Sequence, residues 1–105
     1  MTAHTFKGIL DYYLKRSEEV LGVKAEEYAT EDRLHNFKVA AEVQGTTPVK
    51  ALGGMMAKHT VSIYDMIESP QAYPRAMWEE KITDHINYLV LLAALIEDTG
   101  KIDPE

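Results

Sequence analysis

The chain has 105 residues, 11 Lys and Arg against 17 Asp and Glu, and so a formal net charge of −6. Hydrophobic residues make up 46% and charged residues 27%, the balance of one ordinary globular domain rather than a collagen-like, disordered or membrane-embedded chain. With no Cys, disulfides and thiolate metal sites are excluded, and the acidic balance speaks against a duplex-DNA binder, whose affinity comes from Lys and Arg on phosphates.

The N-terminal segment lacks the charged-then-apolar layout of a signal peptide, and the longest apolar run, Tyr88 to Ile96, is far short of the roughly 20 residues that span a bilayer. A cytoplasmic protein without membrane contact is expected. A chain of this size buries only about two-thirds of its unfolded surface, so a second copy is a natural cover for leftover apolar area.

In chain order, Phe6, Ile9, Leu10, Tyr13, Leu14, Val20, Leu21 and Tyr28 recur at three- and four-residue steps, the period of an amphipathic helix. Gly22 leaves open one long helix or two joined near Leu21-Gly22. Thr30 or Asp32 is the expected cap of a second helix carrying Leu34, Phe37, Ala40, Ala41 and Val43, which Gly45 ends in the left-handed conformation. Thr47 followed by Pro48 then restarts the chain as a third helix through Val49, Leu52, Met55, Met56, Ile63, Met66 and Ile67. Residues 68–75 hold two prolines and read as a connecting loop.

A fourth helix runs from about Ala76 to Asp98, with Trp78, Ile82, Ile86, Leu89, Leu92, Ala93 and Ile96 on its apolar face. Its second half is apolar all round, which calls for burial on every side, at the centre of a bundle or at a subunit interface. The expectation is a single all-α domain over residues 1–105, a bundle of four to five helices, oligomeric.

Polar residues on otherwise apolar faces are the informative ones. Glu80, Asp84 and Asn87 share one face of the fourth helix, and that face leads into Leu91, so Asp84 and Asn87 are expected to turn inward. A buried carboxylate needs a cation, a metal or several hydrogen bonds. Otherwise Asp84 pairs with Lys81 or His85, or faces water. His59, with Lys58 beside it, falls on the apolar face of the third helix, as a ligand-binding group or as a hydrogen-bonded core histidine. Gly53-Gly54 inside that helix costs about 1 kcal/mol per residue relative to Ala, and marks close approach of a ligand or of another helix. Asp32, Arg33 and Asn36 gather at the start of the second helix, where an Arg can grip phosphate, unless Asp32 is only a cap and Arg33 pairs with Glu27 or Glu31. There is no phosphate-binding Gly loop ending in Lys-Ser/Thr, no dinucleotide fingerprint, no zinc-protease helix and no Ser nucleophile elbow.

The ordered series Glu27-Tyr28, Asp32-Arg33-Leu34, Asn36-Phe37-Lys38, Thr47-Pro48, Met55-Met56-x-Lys58-His59 and Trp78-x-Glu80-Lys81-Ile82-x-Asp84-x-x-Asn87-Tyr88-Leu89 resembles small phage and prophage proteins of the nucleotide-modification-associated, MazG-like type, over roughly residues 26–97. The resemblance implies an all-α fold, oligomeric assembly and Mg²⁺-dependent cleavage of nucleoside triphosphates. The group's metal ligands form a Glu-x-x-Glu on one helix and a Glu-x-x-Asp on a later one. Here Asp84 fits the later Asp, Lys81 stands where its Glu belongs with Glu80 one position off, and Lys58 and His59 occupy the region of the earlier pair.

Three functions follow. As a hydrolase, Asp84 and Glu80 are the catalytic residues and, with Glu27, hold Mg²⁺, while Arg33 and Lys58 neutralise phosphate charge. His59, Asn36, Asn87 and Tyr88 then complete the substrate site, the last three orienting sugar or base. As a binding module, the same pocket captures a nucleotide without turnover, for example a nucleotide signal of host defence. As a structural oligomer, the buried polar groups only set helix register.

Overall fold

The computed structural model describes the backbone of residues 1–27 and 32–100, and the side chains of residues 1–22 and 32–100. Four helices form: α1 (Ala3–Glu27), α2 (His35–Gln44), α3 (Pro48–Glu68) and α4 (Arg75–Asp98), with a 3₁₀ turn at Pro70–Ala72. No strand occurs among the described residues. Gly22 does not split the first segment, because a lone glycine inside a long periodic helix costs less than an extra pair of helix ends.

The ends are set by local chemistry. Thr47 Oγ1 accepts from the Lys50 backbone N–H at 3.3 Å and Pro48 supplies the first turn of α3. Gly45 sits at φ 67°, and Thr46 N–H reaches back to Ala41 O at 2.9 Å, closing α2 with a Schellman turn. At the start of α2, Asp32 Oδ1 accepts from Leu34 N–H at 2.9 Å. Thr30, the other expected cap, lies outside the described residues. The proline loop is pinned by the Trp78 indole, which donates to Pro70 O at 3.1 Å.

Leu34, Phe37, Leu52 and Leu95 form the buried core, with Val49, Met55, Met56, Tyr88, Leu91 and Leu92 packed around it. The three-residue step Leu34–Phe37 turns one face of the α2 segment onto α3, and α3 in turn lies along α4. Full burial of Leu52 and Leu95 is worth about 1.5–3 kcal/mol each. Helix α1 rests on α4 alone among the described elements. Tyr12 donates to Glu79 at 2.8 Å and Arg16 Nε to Thr83 Oγ1 at 3.1 Å, and the same 67-residue step in both shows that α1 and α4 run parallel.

The second half of α4 is not enclosed on every side within one copy of the chain. Leu95 is fully buried, yet Leu89 and Val90 are each half exposed and Ala93 is open, because no element among the described residues covers that side.

Candidate functional site

Asp84, Asn87, Tyr88 and Leu91 follow three- and four-residue steps and so share a face of α4. That face closes a cavity of about 130 Å³, whose other walls are Leu21 from α1, Arg33 and Phe37 from the α2 segment, and His59 from α3. The inward turn expected of Asp84 and Asn87 is therefore present. A carboxylate, an amide, a guanidinium and an imidazole, far apart in sequence, meet around one space.

Asn87 is the most telling of them. It is 5% exposed, and neither its Oδ1 nor its Nδ2 has a hydrogen-bond partner among the described residues. Nδ1 of His59 is likewise buried and unpaired there. A buried polar group without a partner costs about 1–3 kcal/mol, so each such atom calls for an explanation. Asp84 is half-buried and makes no ion pair among the described residues, neither with Lys81 nor with His85.

The His59 and Tyr88 rings lie 4.8 Å apart between centroids, tilted by 43°. They also wall a more open cleft of about 420 Å³ on the far side, lined further by Gln44, Gly54, Met55 and Lys58. The inner cavity and the outer cleft thus share an aromatic partition. A methyl added at Gly53 or Gly54 would meet no atom within 4 Å, so helix packing does not explain this glycine pair. Gly54 is one of the residues that line the cleft.

Other expected site residues are placed differently. Lys58 is exposed on the outer cleft rather than in the cavity. Glu80 and Asn36 are exposed and do not line the cavity. The side chain of Glu27 lies outside the described residues. Among the described residues, no three His, Asp or Glu side chains converge as a metal-binding group. Of the aromatic residues, Trp78 is engaged with the proline loop while Tyr88 faces the site. Sequence reasoning missed Leu21, Phe37 and Gln44 as site walls, since nothing in an apolar helical stripe marks which member borders a void.

Comparison of the chain with protein-family models, curated proteins and solved structures finds no match. No helix among the described residues is long and apolar enough to cross a membrane.

Proposed function

We propose that this protein binds a nucleotide at the cavity between Arg33, His59, Asp84, Asn87 and Tyr88, and retains it without cleavage. The observation that carries this reading is the Asn87 amide, buried with both polar atoms unpaired beside an open space. Folding tolerates such a group where a ligand completes its hydrogen bonds. The tilted His59–Tyr88 pair offers flat surface to a base, and Arg33 and Lys58 bring cationic groups to the two compartments it divides. Retention without turnover suits a protein that sequesters a nucleotide signal, and it fits Lys58 and His59 standing in the region where the MazG-like resemblance would place an acidic pair.

Titration calorimetry with nucleoside mono-, di- and triphosphates, with and without Mg²⁺, tests this. Binding at micromolar Kd or tighter is expected without metal, with the nucleotide recovered intact. The absence of heat with every nucleotide would remove the reading.

A second reading, a Mg²⁺-dependent nucleoside-triphosphate pyrophosphohydrolase, is favoured by the position of Asp84 on the cavity with Glu80 one helical turn before it. Mg²⁺ commonly takes one or two carboxylates and leaves its other positions to phosphate and water, so Asp84 by itself can be the protein's contribution at the cavity. Bound there, the ion would supply Lewis-acid polarisation of the phosphates. Release of pyrophosphate with Mg²⁺, lost on Asp84→Asn, would select this reading over retention.

Assembly into a homo-oligomer belongs to either reading. What supports it is the uncovered apolar side of α4, Leu89, Val90 and Ala93, together with Phe6, Ile9 and Leu10 on α1.

A further inference from the structure

The 67-residue step that relates Tyr12 to Glu79 and Arg16 to Thr83 also fixes where α1 stands along α4. Arg75, the first residue of α4, comes level with Gly8, so the first turn of α1 runs past the start of α4. This offset divides the apolar stripe of α1 in two. Along α4, Ser17 is buried and Tyr13, Val20 and Leu21 are half-buried. Beyond it, Phe6 is 59% exposed, Leu10 45% and Ile9 40%. The period is the same in both halves, so the outer half fits what the inner half fits, the apolar face of a helix.

On α4 the open stripe lies toward the other end. Leu89, Val90 and Ala93 are exposed there, Ile82 and Ile86 lead up to them half-buried, and no charged residue interrupts that face. Exposed apolar residues on α3 differ in kind. Val61 and Tyr64 stand among Lys58, Asp65 and Glu68 around the helix, which suits a wetted face.

A two-fold interface is self-complementary, so two different patches are both covered when each is the other's partner. Pairing α4 with α4, or α1 with α1, covers one stripe and leaves the other in water. The area fits exchange: 7691 Å² is roughly 1,700 Å² above that of a folded monomer of this mass, about twice the 800 Å² each partner gives to a standard interface. Because the stripes lie toward opposite ends of the α1–α4 pair, only an axis perpendicular to the helices brings one onto the other. That axis sets α1 antiparallel to the second copy's α4. The first turn of α1, which holds no acidic residue, then comes beside the end of α4 that carries Glu97, a favourable match of helix dipole and charge.

We infer that the protein is a two-fold dimer built by exchange of α1, in which Phe6, Ile9 and Leu10 pack antiparallel on the Leu89, Val90 and Ala93 side of α4 in a second copy. This rests on the assembly proposed above and adds which surfaces meet.

The absence of Cys makes the pairing directly readable with introduced thiols. Ala3, on the α1 stripe three residues before Phe6, and Ala93 are both exposed and small, so Ala3→Cys and Ala93→Cys disturb little. The double variant and each single variant are treated with a short bis-maleimide linker. Exchange sets Ala3 of one copy near Ala93 of the other, while the two lie toward opposite ends of the α1–α4 pair within a copy. The double variant is expected to form covalent dimer at least about tenfold faster than either single variant, because linkage inside a preformed pair runs at a far higher effective concentration than linkage between separate molecules. A dimeric protein whose double variant links no faster than the single ones overturns the exchange and leaves assembly in place; fast linkage of Ala93→Cys by itself then marks α4 against α4, and of Ala3→Cys by itself α1 against α1. An unaltered chain that light scattering finds monomeric at micromolar concentration overturns exchange and assembly together, the stripes then belonging to another part of this chain or to a different protein.

Discussion

Asn87 sits where stability and binding oppose each other. An Asn with only 5% exposure and both amide atoms unpaired among the described residues is a poor choice for folding, and a leucine of similar size would serve the packing better. Asn87→Leu is therefore expected to raise the stability of the ligand-free protein by about 1–3 kcal/mol and to abolish nucleotide binding. Thermal unfolding with and without nucleotide checks both halves. A variant that is destabilised and still binds would show that the amide serves the fold. Thr83, on the same helix and 1% exposed, provides the contrast, because its hydroxyl is occupied by Arg16 and is structural.

At the scale of the elements, α1 rests on a single helix, α4, and more lightly than α2 rests on α3. Its polar fastening to α4 is the Tyr12–Glu79 hydrogen bond, supported by Arg75, which donates to Glu79 at 3.0 Å, and by the Arg16–Thr83 contact. Hydrogen bonding to Glu79, with partial burial, pushes the Tyr12 phenol up; donation from Tyr12 and from Arg75 holds the Glu79 carboxyl down. The two groups limit the fastening at opposite ends of the pH scale. The contribution of Glu79 is complete above the ordinary Glu value of about 4.3 and is lost as pH falls through its depressed value. That of Tyr12 is complete below about 10 and is lost as pH rises through its raised value. Amide hydrogen exchange in α1, measured relative to α3, should thus accelerate in both acid and strong alkali, with the alkaline limb absent in Tyr12→Phe. Exchange in α1 that tracks α3 at every pH would show that apolar packing by itself holds the helix.

For the whole molecule, surface area carries the argument. The chain exposes 7691 Å², against about 6,000 Å² for a folded monomer of this mass, and its radius of gyration is 15.9 Å where about 13 Å is usual near 100 residues. The excess area is larger than the about 800 Å² that each partner contributes to a standard interface. Apolar residues contribute to it: Leu89, Val90 and Ala93 are exposed along α4, with the half-buried Ile82 and Ile86 at helical steps before them, and Phe6, Ile9 and Leu10 are exposed on α1 near the start of α4. Light scattering after size exclusion is expected to give a dimer or larger species at micromolar concentration. The double variant Leu89→Glu with Val90→Glu should shift it to monomer. A wild-type monomer at that concentration would leave this surface without a second copy to cover it.

The helices, their ends and the inward face of α4 were legible in the sequence because they depend on neighbours three or four residues apart. Thr47-Pro48, Gly45 and the Asp84–Asn87–Leu91 steps needed no tertiary information. Even the meeting of Arg33, His59, Asp84 and Asn87 was anticipated, since the last three are polar groups on otherwise apolar stripes and Arg33 stands at the start of a helix. Only the packed chain decided the rest. It placed Asn36 in solvent and Lys58 across an aromatic partition from Asp84, because a helix turns 100° per residue and one position off a face is enough to leave it, and it left Glu80 exposed one helical turn before Asp84, outside the cavity. It also uncovered one side of α4 that its composition would bury, for hydrophobicity states how much area needs covering and only the arrangement of the other helices states which part is left.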